Sequence, residues 1–118
     1  MKTNIKKIGD TLVVTLDGKL DFETQEPLRQ EMTRLVRRAE TDSVPKKIIF
    51  NLENLEFVGS SGISSFVQTM KEVTDRAPVR PKYCNVRSEF RRVMKAFDEE
   101  EKFEFFDNEE RARKSFDQ

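Results

Sequence analysis

The sequence contains no histidine and a single cysteine, Cys84, among its 118 residues. A Ser-His-Asp or Cys-His nucleophile system needs an imidazole base, so the chain cannot build one from its own residues. Zinc sites with histidine ligands are excluded too, and one cysteine supplies neither a thiolate cluster nor an internal disulfide. Cys84 lies in an apolar segment, which favours packing over redox chemistry. We therefore expect a protein that is not an enzyme and that holds no metal or other cofactor.

Long apolar runs and an excess of either charge are also lacking. No stretch approaches the roughly 18 apolar residues of a membrane span, and the N-terminal MKTNIKKIGD has no apolar core of a signal peptide. The 22 basic residues balance the 22 acidic ones, whereas a nucleic-acid binder needs a basic footprint. These absences predict a cytoplasmic protein with no membrane association and no direct nucleic-acid partner.

The patterns that are present indicate one α/β domain, for which 118 residues are an ordinary length. Leu12, Val14 and Leu16 alternate with other residues as in a strand, and KKIIFNL is predicted as a short buried strand. KFEFF is predicted as a last short strand. Apolar residues at helical spacing predict four helices, over residues 23–40, 61–73, 88–97 and 108–116.

Several element boundaries can be predicted more closely. Thr24, Ser88 and Asn108 are candidate N-caps of the first, third and last helices. The Asp17-Gly18 pair is predicted to interrupt the second strand. Pro81 cannot donate a ladder hydrogen bond, so its segment is predicted to form an edge strand.

The segment EFVGSSGISSF places two serines between two glycines, where a strand ending near Phe57 gives way to a helix starting near Ser61. The first turn of a helix has unpaired N–H groups and a dipole that favours negative charge, so it would suit a phosphate on a serine. A tight turn with a capping serine is the alternative interpretation. A P-loop is a poor match without its lysine, and a nucleophile elbow needs Gly-x-Ser-x-Gly.

The wider segment NLENLEFVGSSGISSF resembles the signature of STAS domains, the family of anti-sigma factor antagonists. That signature has a buried strand, an Asn/Asp-Leu pair, a short apolar segment, then Asp-Ser-Ser/Thr-Gly and an apolar helix. LVVTLDGKLDFETQEPL resembles the family's second strand and first helix, and the later strand–helix segments also match in order. The resemblance implies one STAS domain over residues 1–118, with a small mixed sheet, an antiparallel first strand pair and about four helices.

The resemblance also implies a regulatory function. Soluble members of the family bind a partner serine kinase, usually an anti-sigma factor, and so free the sigma factor that it sequesters. The kinase phosphorylates the first serine of the pair, which matches Ser60, and a phosphatase reverses the reaction. ATP and magnesium would then belong to the partner.

The partner-binding surface implied by the resemblance surrounds this serine. Exposed apolar or small residues are expected there, including those of the segment 20–24. The family commonly has Asp where this chain has a glycine before the serine pair. That departure keeps open an alternative function, a non-phosphorylated STAS adaptor subunit of a transporter or sensory complex. Asp21 has a second interpretation as a turn or capping residue. The expected partner-binding residues are Asp21, Gly59, Ser61, Gly62, Ile63 and Ser64.

Overall fold

Six strands and four helices make up the part of the chain that the computed structural model describes, residues 1–41, 45–58 and 60–117, with the backbone alone at positions 60 and 61. The strands are β1 (Lys2–Ile8), β2 (Thr11–Leu20), β3 (Lys47–Asn51), β4 (Leu55–Phe57), β5 (Lys82–Cys84) and β6 (Glu104–Phe106). The helices are α1 (Gln25–Glu40), α2 (Ser60–Arg76), α3 (Ser88–Ala96) and α4 (Glu109–Ser115).

The sheet is mixed, with the strand order β1-β2-β3-β5-β6. β1 is antiparallel to β2, and β2, β3, β5 and β6 are parallel to their neighbours in that order. The short strand β4 lies off this path and pairs in parallel with the end of β2. The predicted mixed sheet with an antiparallel first pair and about four helices is confirmed.

β2 continues through Asp17 and Gly18, so the predicted interruption there is wrong. Gly18 has a φ of +127°, which a glycine adopts without a steric penalty, so the strand stays extended while its partner changes. Before the glycine, β2 pairs with β3; from Gly18 to Leu20 it pairs with β4. The end of β2 therefore lies beside β4, the strand that leads into α2.

β5 lies between β3 and β6, so the edge position predicted from Pro81 is wrong. The strand begins at Lys82, one residue after the proline. The missing N–H of Pro81 therefore falls outside the ladder and costs no hydrogen bond.

Two apolar clusters fill the two faces of the sheet. The larger one joins the sheet to α1 and α2 and includes Val14, Phe50, Met32 and Phe66. The smaller one lies on the face covered by α4 and contains Val13, Ile49, Cys84 and Ala112. Cys84 is fully buried, which confirms the prediction that it packs in the interior, and this burial raises the pKa of its thiol to about 12.

The helix starts differ in how well the sequence predicts them. Asn108 caps α4, because its side chain accepts a hydrogen bond from the Arg111 N–H, as predicted. Thr24 occupies the N-cap position of α1, but its hydroxyl bonds elsewhere. Ser88 is not the N-cap of α3: Arg87 holds that position and its carbonyl accepts the Arg91 N–H, so Ser88 is already helical.

Candidate functional site

The candidate site lies where β2 and β4 end side by side and α2 begins. Leu20 and Phe57 are paired at the ends of these parallel strands. One residue later, the Val58 N–H donates to the Leu20 carbonyl at 3.0 Å. The carboxyl ends of parallel strands are the usual location of binding sites in α/β proteins.

The serine pair occupies the start of α2. Ser60 is the first residue of the helix, which therefore begins one residue earlier than predicted and ends at Arg76 instead of near Val73. The unpaired N–H groups and the positive end of the helix dipole lie at this point. Gly59 and the side chains of Ser60 and Ser61 fall outside the described residues, so their roles stay predictions.

Gly62 lies buried against the end of β2. A Cβ atom at this position would lie 3.0 Å from the Leu20 carbonyl oxygen, closer than side-chain carbons normally come. The absence of a side chain thus allows the first turn of α2 to approach the chain's own backbone. Ile63 packs partly against the larger core, whereas Ser64 is exposed.

Asp21 organises the turn between β2 and α1. Its carboxylate Oδ1 accepts the Glu23 N–H at 2.9 Å and the Thr24 N–H at 3.1 Å. The Asp21 N–H donates in return to Thr24 Oγ1 at 2.9 Å, and that hydroxyl lies 3.0 Å from the Lys19 carbonyl. Asp21 therefore has the turn-forming role that was its alternative interpretation; its role toward a partner stays a prediction.

Two large apolar side chains are exposed at this edge of the sheet. Phe22, at the tip of the Asp21 turn, is 88% exposed, and Val58, between β4 and α2, is 51% exposed. Leu20, in contrast, is fully buried. The sequence pointed to the segment 20–24 as a whole but not to Phe22 or Val58, because an apolar residue near a strand end is ordinarily expected to be buried.

The charges around these two side chains are mainly negative. Asp21 and Glu23 flank Phe22 in the turn. Glu56 precedes Val58 by two residues and lies beside Lys19 in the register of β4 and β2. The described residues next to Phe22 and Val58 in the chain are therefore mainly acidic.

The interior behind the site is tightly packed. The Phe57 ring meets the Phe66 ring of α2 at a centroid distance of 5.4 Å and the Phe90 ring of α3 at 4.4 Å, both edge-to-face. Buried Asn51 fixes the adjacent β3–β4 connection: its amide donates to Glu109 at 2.9 Å and its oxygen accepts the Glu53 N–H at 3.0 Å. These contacts give the site a rigid support.

Two further findings apply to the described ranges only. In residues 1–41, 45–58 and 60–117, no group of three or more acidic, histidine or cysteine side chains is arranged to hold a metal ion. Among the helices of that same part of the chain, none has the length and apolar character needed to cross a bilayer.

Comparisons with known proteins identify relatives along most of the chain. The family model described as the STAS domain matches residues 2–112. An anti-sigma F factor antagonist from Paenibacillus polymyxa is 29% identical over 65 residues, which cover 55% of this chain. The match spans 52%, about half, of the length of that protein.

Solved structures share the fold at low sequence identity. An anti-sigma factor antagonist from Mycobacterium paratuberculosis superposes with a TM-score of 0.74 at 18% identity, over 99% of this chain and 94% of that chain. The phosphorylated form of SpoIIAA, a Bacillus cell fate determinant, superposes with a TM-score of 0.63 at 22% identity, over 98% of this chain and 99% of that chain. Likeness at these identities shows a common architecture.

Proposed function

The chain belongs to the STAS domain family, and we propose that it acts as an anti-sigma factor antagonist. It binds a partner anti-sigma serine kinase through the edge where β2, β4 and α2 meet, and phosphorylation of Ser60 switches this binding off. The observation that carries the proposal is the position of Ser60 as the first residue of α2, two residues after exposed Val58 and at the paired ends of β2 and β4, where exposed Phe22 also follows β2.

The chemistry of the switch follows from this position. A phosphate adds close to two negative charges and three strong acceptor oxygens. The N-terminus of α2 tolerates that charge within the free protein, because its N–H groups and dipole favour an anion. An interface that covers Val58 would have to strip water from the phosphate, and desolvation of a charge without a partner is unfavourable.

The reaction itself belongs to the partner. The chain has no histidine that could serve as a base. A kinase supplies its own carboxylate base and its magnesium-bound ATP, so this protein only has to present a hydroxyl. A phosphatase removes the phosphate. On this proposal the chain is a cytoplasmic, non-enzymatic regulator without a cofactor of its own.

The surrounding residues have distinct proposed roles in binding. Ser61 supports the start of α2, Gly59 keeps the backbone unobstructed beside the acceptor serine, and Gly62, buried against Leu20, fixes the position of the first turn that carries that serine. Ile63 and Ser64 extend the contact surface along the helix. Asp21 contributes by holding the turn that displays Phe22.

The test uses purified anti-sigma kinases encoded in the source genome, each incubated with ATP, followed by intact mass measurement and peptide mapping. Ser60→Ala should abolish phosphorylation and keep kinase binding. Ser60→Asp should weaken binding, and a tenfold rise in Kd corresponds to about 1.4 kcal/mol. Ser88→Ala is the control, because Ser88 is an exposed serine that also begins a helix, α3, but lies outside the proposed contact, so its loss should leave phosphorylation unchanged.

Two outcomes would contradict the proposal in different ways. Phosphate found only on Ser61 would move the acceptor to the second serine. Absence of phosphate, with kinase binding insensitive to Ser60→Asp, would exclude the switch. That second result would favour the non-phosphorylated adaptor subunit of a transporter or sensory complex, with Gly59 in place of the family's usual Asp as the departure that accompanies it.

A further inference from the structure

The exposure of Phe22 to solvent is unusually high for a large apolar side chain. At 88% exposure, its ring contributes almost nothing to the interior, although water contact with so much apolar surface is unfavourable. Val58 adds a second exposed apolar side chain from the neighbouring strand end. Both side chains follow the paired ends of β2 and β4, so they lie at the same edge of the sheet, where an apolar surface that water contacts would suit a protein partner.

The turn that carries Phe22 is held in one conformation. The Asp21 carboxylate accepts the N–H groups of Glu23 and Thr24, and the Thr24 hydroxyl closes the turn onto the Asp21 N–H and the Lys19 carbonyl. The ring is therefore displayed by a fixed backbone. Preorganisation of this kind lowers the entropy lost on binding, and an aromatic side chain has only two torsions to immobilise.

The charges around the patch restrict the partner. Asp21 and Glu23 flank Phe22 in the chain and Glu56 lies two residues before Val58, whereas Lys19 is paired with Glu56 in the strand register. Complementary potentials steer association and suppress wrong partners. A surface that covers this patch should therefore carry basic residues around an apolar centre.

We infer that Phe22 is the anchor by which this chain holds its kinase: the kinase offers an apolar pocket for the ring, and basic residues of the pocket rim face Glu23 and Glu56. This inference rests on the proposed function and names the surface chemistry of the partner. It also connects binding to the switch, because α2 begins two residues after Val58 and a phosphate on Ser60 would lie at the border of the same contact.

The test measures Kd by calorimetry between each purified anti-sigma kinase of the source genome and a set of variants. Phe22→Ala should raise Kd at least tenfold, as expected for a central aromatic anchor, and Phe22→Leu should raise it less. Phe97→Ala is the matched control. Phe97 is 45% exposed at the end of α3, which places it toward the amino end of β6 and away from the patch.

The basic rim inferred for the kinase pocket is tested by removing charged side chains of this chain around Phe22 and Val58. Glu23→Gln and Glu56→Gln should each raise Kd and reduce its dependence on salt, because each removes an attraction that salt screens. Lys19→Gln, beside Glu56 in the strand register, should leave Kd unchanged or lower it. Loss of binding in Lys19→Gln equal to that in Glu56→Gln would overturn the basic rim.

The outcomes separate this inference from the proposed function. Wild-type affinity in Phe22→Ala, with Ser60→Asp still weakening the complex, would overturn the anchor and leave the function intact. Failure of the wild-type protein to bind any of the kinases would overturn the function and the anchor with it. A fall in the melting temperature of Phe22→Ala that matches its loss of binding would show that Phe22 supports the fold, which also overturns the anchor.

Discussion

Replacement of Gly62 by alanine should destabilise the protein, although alanine is the better helix former. Gly62 lies in the first turn of α2, and Gly→Ala inside a helix ordinarily stabilises by about 0.5–1 kcal/mol. The added Cβ, however, would lie 3.0 Å from the carbonyl oxygen of Leu20. The sign of the effect depends on whether Leu20 can move away.

Three constraints hold Leu20 in place. Its side chain is fully buried in the larger core. Its backbone is paired with Phe57, and its carbonyl already accepts the Val58 N–H at 3.0 Å. Overpacking against a fixed neighbour costs about 1–3 kcal/mol, which exceeds the stabilisation expected from the higher helix propensity of alanine. We expect a net loss of about 1 kcal/mol, or roughly 4 °C in Tm for a domain of this size.

Urea unfolding and thermal melting measure the change, and hydrogen exchange of the Val58 amide reports on its cause. Exchange at Val58 should become faster, because displacement of Leu20 weakens the bond that this amide donates. Ser64→Ala, on the exposed side of the same helix, should change stability by only a few tenths of a kcal/mol. Gly62→Ala with wild-type or higher stability and unchanged Val58 exchange would refute the reasoning.

Two further predictions concern Asp21 and Cys84. Asp21→Asn keeps an acceptor for the Glu23 and Thr24 N–H groups and should melt close to wild type. Asp21→Arg removes that acceptor and should lose about 1 kcal/mol in urea unfolding. Equal stability of the two variants would contradict the turn role. Burial raises the pKa of Cys84 from 9.0 to about 12, so its contribution to stability is complete below pH 9 and is lost as pH rises toward 12. Urea unfolding measured across that pH range should show a shallower decline of the unfolding free energy in Cys84→Ala than in the wild type. Identical declines in the two proteins would contradict this prediction.

Local patterns were sufficient for most of the fold. The alternation in β2 and the helical spacing in α1 arise from neighbours along the chain, so the sequence alone indicates them. The edge position predicted from Pro81 was wrong because the effect of a proline depends on where the strand begins, and β5 begins one residue later. Asp17-Gly18 misled because a glycine with positive φ can keep a strand extended as well as end it.

The candidate site was harder to predict from the sequence, because its geometry depends on contacts between residues that are far apart in the chain. The Ser60-Ser61-Gly62 motif and its position at a helix start follow from the sequence pattern. The close approach of Gly62 to Leu20 does not, because it requires the pairing of β2 with β4. Exposed apolar or small residues were expected in the segment 20–24, but the sequence did not separate Phe22, which is exposed, from Leu20, which is buried.

The change of pairing partner along β2 brings the proposed binding surface and the proposed acceptor serine to one edge of the sheet. Because β2 passes Gly18 without ending, its last three residues pair with β4 instead of β3. The Phe22 turn follows β2 directly, and Ser60 follows β4 after a gap of two residues. Pairing of the two strands therefore places Phe22, the proposed anchor, and the start of α2 at the same edge. A phosphate on Ser60 can then act on the proposed contact locally, and no rearrangement of the sheet is needed to transmit it.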